Sequence, residues 1–396
     1  MNLLFITMVW PKNGQTNMYT DLIDEFVLEK HNVYVATLCE KRNRIKTNLA
    51  FENGVNVLRI QCGNIQKTNK YKKVISSFLA GFKLKGEIIK RFGKVHFDLL
   101  VFALPPLTIA KPVVKIKKHF GCPMYLLLKE FWPQDPADLG AMRRGGFVWK
   151  VFKRLEDYMY KNSDYIGAMS EAGVSYLSNN KNTEHSLIEV NPNSEKDRSV
   201  KKTLEEIKAI RKRFDLSTDE KIFIFGGNLG VSQGIPEMIA SIKNCSDIQG
   251  IRFLIVGDGT EKNVVVRELS NQNNVTILDS MDKKNYSELV SCCDFGLIFL
   301  YPKYTVPNFP SRAVSYLCYG LPILAAIDLF TDVGKVIEGN GCGLSVINGD
   351  IDGFRHKIKN IVYDCEYETM SNNCIRLFKK EFTARISYEK IVEKVE

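Results

Sequence analysis

Phe253-Leu-Ile-Val-Gly-Asp-Gly-Thr-Glu-Lys262 decides the fold. Four apolar residues in a row read as a strand buried on both faces. Gly257, Asp258 and Gly259 break the run, and a helical pattern is predicted from near Thr260. A buried strand passing through a glycine turn into a helix is half of a βαβ unit.

The same succession extends outward in both directions. Towards the C-terminus, strands are predicted at Val275–Leu278, Phe295–Phe299 and Pro322–Ala326, with helices starting near Lys284, Ser311 and Thr331. Upstream lie a strand at Ile222–Phe225 and a helix from Ile235. An earlier series has strands at Leu3–Met8, Val33–Leu38, Val55–Ile60, Leu99–Ala103, Met124–Leu128, Tyr165–Ala168 and Leu187–Val190. A long helix is predicted from about Lys72 to Phe92. The pattern breaks at Asn191-Pro192-Asn193-Ser194 and the polar run to Arg198. A chain of 396 residues exceeds one ordinary core. The expectation is an α/β protein with domains at 1–194 and 195–375, and a helical segment at 376–396 packing back on the first.

Open α/β sheets bind ligands at the carboxyl ends of their strands. Three loops there are candidates. Gly226-Gly227-Asn228-Leu229-Gly230, with Gln233-Gly234, joins a strand to a helix and suits a diphosphate; a tight turn accounts equally for the glycines. Gly257-Asp258-Gly259 repeats that arrangement, and a plain turn with a helix cap is its other reading. Pro310-Ser311-Arg312 opens a helix that Ser311 can cap, leaving N–H groups of 311–313 and the forked Arg312 cation for an anion. An ordinary capped helix is the alternative.

Charge is unevenly placed. Lys67 to Lys118 holds thirteen basic residues against Glu87 and Asp98, an excess larger than the +10 of the whole chain. Tyr71, Val74, Ile75, Phe78, Leu79 and Phe82 interleave with it. A helix lying on an anionic membrane fits this pattern; so does a solvated lysine-rich face. No nucleic-acid motif accompanies the charge. Met1–Thr7 lacks the basic start of a signal peptide and reads as a buried strand. No apolar run approaches the ~18 residues of a membrane span. The ten cysteines form no CxxC or zinc pattern and read as reduced, buried thiols.

Together, Phe253–Lys262 and Pro310-Ser-Arg-Ala-Val-Ser-Tyr-Leu-Cys-Tyr-Gly-Leu-Pro-Ile-Leu-Ala325 resemble, in order and spacing, the glycosyl transferases group 1 family, family 4 of the retaining GT-B enzymes. The resemblance extends to Asn228-Leu229-Gly230, Asn274-Val275, the Pro192-Asn193 joint and the segment Arg154–Ser170. Pro11-Lys12-Asn13-Gly14-Gln15 is similar to the family's glycine-rich loop after the first strand. Lys129-Glu-Phe-Trp-Pro133, with Gly140, resembles a subgroup that builds bacterial capsule, O-antigen and other surface polysaccharides.

That resemblance implies two Rossmann-like, doubly wound domains facing a central cleft. It implies a nucleotide-sugar donor, UDP favoured, held by Gly227, Asn228, Leu229, Gly230, Gln233, Gly257, Asp258, Gly259, Met281, Pro310, Ser311, Arg312 and Ser315. Gly14 and Gln15 are expected on the acceptor side. Glu130 is expected to contact the reacting sugar or acceptor hydroxyl, in a place shared with Lys129, and Asp135 stands second; a structural salt bridge is the other reading of Glu130 and Asp135. The acceptor implied is a polyprenyl-diphosphate-linked saccharide, at the inner face of the plasma membrane. Retention, with no metal and no cofactor beyond the co-substrate, is implied too; no loop is read as an Asp-x-Asp metal motif.

Several positions depart from the family. Counting back from Gly320, its Glu-x7-Glu pair falls on Pro307 and Ser315. Its two diphosphate cations fall on Asn228 and Gln233. Arg312, Lys303 and the helix start at Ser311 are expected to compensate. A GT-B epimerase and a non-catalytic partner subunit are the competing functions.

Overall fold

The computed structural model describes residues 1–12, 14–65, 70–199, 202–364 and 366–395, with main chain alone at 70–75 and 364. Asn13 and Lys67 lie outside the described residues, as do the side chains of Lys70, Tyr71, Lys72, Lys73, Val74 and Ile75. The chain forms two compact units, Met1–Lys196 with Ala384–Glu396, and Asp197–Thr383.

In the first unit the strands are β1 (Asn2–Thr7), β2 (Asn32–Glu40), β3 (Asn48–Glu52), β4 (Val55–Cys62), β5 (Leu99–Leu104), β6 (Met124–Leu128), β7 (Tyr165–Ala168) and β8 (Leu187–Val190). Their order across the sheet is β3-β4-β2-β1-β5-β6-β7-β8. β5 and β6 are apolar and buried at every position, as strands covered by helices on both faces must be. The connection order reverses between β1 and β5, so the loops after these strands frame a crevice.

β3 has no counterpart among the predicted strands. It is a short antiparallel edge strand, turned onto β4 by Asn53 (φ 48°) and Gly54 (φ 82°). Asn-Gly is the strongest short hairpin signal, and it was the readable cue here.

The second unit contains β9 (Lys221–Asn228), β10 (Ile251–Asp258), β11 (Val275–Leu278), β12 (Phe295–Phe299), β13 (Ile323–Ile327) and β14 (Gly343–Ile347). They run parallel in the order β11-β10-β9-β12-β13-β14. β14 is a further strand that was not predicted. Phe223, Phe225, Phe253, Phe295 and Phe299 form the centre of this core. The order reverses between β9 and β12, which places the crevice beyond their carboxyl ends.

Tyr367–Glu381 packs on the helix Ser311–Cys318 inside the second unit. The chain rejoins the first unit at Ala384. There the helix Ala384–Val392 sets Tyr388, Ile391 and Val392 into the core beside Phe26 and Val33. Ser387 Oγ donates to Asn191 Oδ1 at 2.6 Å and pins that helix.

The helix Lys70–Phe92 buries Ala80, Leu84, Ile88 and Phe92 and exposes Leu79 and Phe82, each 62% accessible. Among the described residues no helix is long and apolar enough to cross a membrane. The nine described cysteines are free and buried.

Candidate functional site

At the carboxyl end of the second sheet, β9 and β10 run in register to their last residues, pairing Gly227 with Gly257 and Asn228 with Asp258. A Cβ at Gly257 would lie 1.9 Å from Gly227 O, so glycine is required for the two strand ends to meet. Gly227 has φ +124°, a backbone state that L side chains rarely adopt.

A cavity of about 570 Å³ opens over these strand ends. It is lined by Gly227, Asn228, Gly257 and Asp258 from the strands, Met281 from the loop after β11, and Ser311, Arg312 and Ser315 from the helix Ser311–Cys318. Lys283 and Tyr286, from the helix Lys283–Val290, also line it, with Ser280, Gly226 and Val256. Neither Lys283 nor Tyr286 was singled out from sequence. A helix starting one turn after a strand at the sheet's active edge was the available cue.

Arg312 dominates the electrostatics. Its guanidinium carbon sits 4.3 Å from the centroid of the Phe225 ring. Nη1 is enclosed and has no hydrogen-bond partner. No carboxylate pairs with it among the described residues. Desolvation pulls its pKa below the ordinary value, opposed by the Tyr316 and Tyr286 phenols. An arginine nonetheless stays charged.

Tyr316 holds the floor of the site. Its hydroxyl donates to Ile224 O at 3.1 Å and accepts from Gly226 N at 3.2 Å. Tyr286 Oη, in contrast, is enclosed without a partner. Burial pushes that phenol well up and the neighbouring Tyr316 adds to the shift, but the pair does not meet hydrogen-bond geometry. The lining's carboxylate, Asp258, accepts the Gly259 N–H at 2.9 Å.

The start of the helix Ser311–Cys318 differs from the expected cap. Pro310, not Ser311, occupies the N-cap, and no side chain caps the helix. The Ala313 N–H is taken by Pro310 O at 3.0 Å, which leaves the N–H groups of Ser311 and Arg312. Two unbonded donors and the positive dipole end thus stand beside Arg312.

Other expected donor residues lie around the cavity rather than in its lining. Leu229 is fully buried, its N–H bonded to Asp258 O and its carbonyl to Glu261 N, so it fastens the two loops together. Gly230 caps the 3-10 turn Val231–Gln233, and the Gln233 amide donates to Ser232 Oγ. Gly259 and Pro310 adjoin lining residues, and Lys303 is outside the lining.

Asp350-Ile351-Asp352 is an Asp-x-Asp run, against the expectation that none exists. It begins the helix Ile351–Asp364, where Asp350 accepts the Gly353 N–H and Asp352 accepts from Asn244. Neither carboxylate lines the cavity.

In the first unit the candidates follow β6. Lys129 is half-buried, and its ammonium donates to the carbonyls of Asn191 and Pro192 at 3.2 and 3.1 Å. Desolvation pulls it down to about 7. Glu130 accepts the Trp132 indole N–H at 2.9 Å. Its carboxyl is exposed by area, yet the surrounding protein raises its pKa. Asp135 is buried and accepts the Phe131 N–H at 2.7 Å, a bond that closes its own turn. Gly14 (φ +85°) and Gln15 are exposed after β1, where Gln15 N bonds to Lys12 O.

Residues 206–376 match the family model described as Glycosyl transferases group 1. The probable glycosyltransferase WbjE of Pseudomonas aeruginosa is 19% identical over 343 residues, 83% of this chain and 82% of that protein. The putative colanic acid biosynthesis glycosyl transferase WcaI of Escherichia coli (strain K12) is 22% identical over 251 residues, 61% of this chain and 60% of that one. The crystal structure of Anabaena Alr3699/HepE in complex with UDP and glucose superposes with a TM-score of 0.69 at 16% identity, covering 100% of this chain and 99% of that chain. The cavity lies inside the matched segment, so residues 206–376 form a glycosyl transferases group 1 region, and the chain has the GT-B fold.

Proposed function

We propose that this glycosyltransferase takes its sugar from a UDP-sugar and passes it, with retention and without a bound metal, to a lipid-linked or saccharide acceptor in bacterial surface polysaccharide synthesis. The observation that carries the donor reading is Arg312: an enclosed guanidinium in a cavity, with Nη1 unpartnered. Such a group is stabilised by an anion, and a diphosphate supplies one of suitable size. HepE, which shares the fold, was solved with UDP and glucose. WcaI, by its name, belongs to colanic acid biosynthesis.

In this reaction the leaving group is the nucleoside diphosphate. Arg312 and the Ser311 and Arg312 N–H groups neutralise the charge that grows on it as the glycosidic bond breaks. Glu130 contacts the reacting sugar or the acceptor hydroxyl. Asp135 supports Glu130 by holding the main chain of the same loop.

The acceptor is a polyprenyl-diphosphate-linked saccharide, met at the cytoplasmic face of the plasma membrane. The exposed Leu79 and Phe82, beside exposed Lys83, Lys90 and Arg91, support docking on anionic lipid. Flotation with anionic but not neutral vesicles tests this part, and equal flotation with both would sink it.

Thermal stabilisation by UDP, GDP, ADP and CMP tests the donor. A ligand at a hundredfold excess over its dissociation constant stabilises by about 2.7 kcal/mol. UDP is expected to raise the transition most, with the gain reduced in Arg312→Ala. No shift with any nucleotide would discard the donor reading. Turnover unchanged by a chelator, with the donor's anomeric configuration kept in the product, tests the rest.

A further inference from the structure

The cavity holds a second enclosed donor besides Arg312. Tyr286 Oη has no hydrogen-bond partner, and its helix, Lys283–Val290, brings it over the end of β9. A Cβ at Gly226 would land 1.9 Å from that hydroxyl. A Cβ at Gly227 would lie 3.4 Å from Arg312 Nη2. Phenol and guanidinium therefore flank two consecutive glycines at one strand end.

Within the protein Tyr286 Oη has only an approach to the Tyr316 hydroxyl that falls short of hydrogen-bond geometry, and Arg312 Nη1 has no acceptor. The Tyr316 hydroxyl gives its proton to Ile224 O and takes that of Gly226 N. Asp258, the carboxylate in the lining, is turned to its own loop. Enclosed donors without acceptors are costly and rare. Two of them side by side point to an acceptor that arrives from outside. A cation beside a neutral donor calls for an anion with several oxygens rather than a neutral sugar hydroxyl.

We infer that Tyr286 is a ligand-contact residue whose hydroxyl donates to a non-bridging oxygen of the same diphosphate that Arg312 binds, forming a two-sided clamp over Gly226-Gly227. The inference rests on the donor-site reading above. Burial holds the phenol well above its ordinary pKa, so it is a donor at neutral pH.

Tyr286→Phe removes the hydroxyl and keeps the ring. Titration calorimetry with UDP and with inorganic pyrophosphate should show both losing roughly ten- to a hundredfold in affinity. The unliganded melting temperature should stay level or rise, because an unpaired enclosed hydroxyl has gone. A packing role predicts the reverse, a lower melting temperature and unchanged affinities, and would overturn the assignment. Equal affinities with an unchanged melting temperature would overturn it too. If wild type binds neither UDP nor pyrophosphate, the donor-site reading itself falls, and the clamp with it.

Discussion

The Arg312 guanidinium lies 4.3 Å above the Phe225 ring while its Nη1 faces no protein acceptor. The ring fixes the plane of the fork, and the strand β9 that carries Phe225 also carries the glycines beneath the cavity. A charge held this way is oriented before ligand arrives. Lysine in its place would keep the charge but lose the stacked, forked geometry. Arg312→Lys is expected to weaken UDP by about tenfold, Arg312→Ala by more, the contact being worth roughly 1.5–3 kcal/mol. Calorimetry on the two variants checks the order; equal affinity of Arg312→Lys and wild type would show that geometry is irrelevant.

Gly257 tests the strand junction. Alanine there would place its Cβ 1.9 Å from Gly227 O, a main-chain atom that cannot swing aside. The ends of β9 and β10 must part. We expect Gly257→Ala to cost about 1–3 kcal/mol or more and to abolish the thermal shift given by UDP. A variant as stable as wild type would show the strand ends to be slack.

Lys129 sets a pH dependence. An unfolded lysine titrates near 10.5, and this one, folded, near 7. Between those values the unfolded chain binds the extra proton, so stability rises with pH across the window. Below about pH 7 the desolvation cost is fully present. Because the side chain keeps some solvent contact, the slope should stay under the ~1.4 kcal/mol per pH unit of a full proton. Lys129→Met should lack this dependence. Trp10, Trp132 and Trp149 all belong to the first unit, so tryptophan fluorescence follows its unfolding. Urea midpoints from about pH 6.5 to about pH 9.5 that ran parallel in the two proteins would exclude the effect.

Glu130 and Asp135 should separate. Asp135→Ala leaves the Phe131 N–H unpaired in a buried turn, at a cost of about 1–3 kcal/mol. Its UDP affinity should not change. Glu130→Gln keeps the bond from Trp132, so its stability should stay within ~0.5 kcal/mol, while turnover falls by ~10²-fold or more. A fall in turnover for Asp135→Asn with stability intact would exchange the two assignments.

The parallel sheets were legible because their strands are apolar on both faces. Phe253–Val256 and Leu99–Ala103 could hardly be anything else. The edge strands β3 and β14 were not, since an edge has one covered face and a mixed pattern. Leu49 and Phe51 even point into solvent. Within the cavity, Arg312 and the glycines stood out because a motif carries them. Tyr286 did not, because a tyrosine in a helix is ordinarily core, and only the tertiary approach over Gly226 leaves its hydroxyl without a partner. The N-cap was misassigned between neighbours: Ser311 has the cap-forming side chain, but the helix begins one residue too early to use it.

The discontinuity of the first unit bears on how the protein is made. Tyr388, Ile391 and Val392 fill its core, yet they lie beyond the whole of the second unit along the chain. A ribosome delivers them after the whole of the second unit. The second unit, contiguous from Asp197 to Thr383, has every residue it needs before they emerge. Synthesis therefore inverts the written order: the half encoded first is the half completed last, with an apolar groove beside Phe26 and Val33 waiting for its final helix.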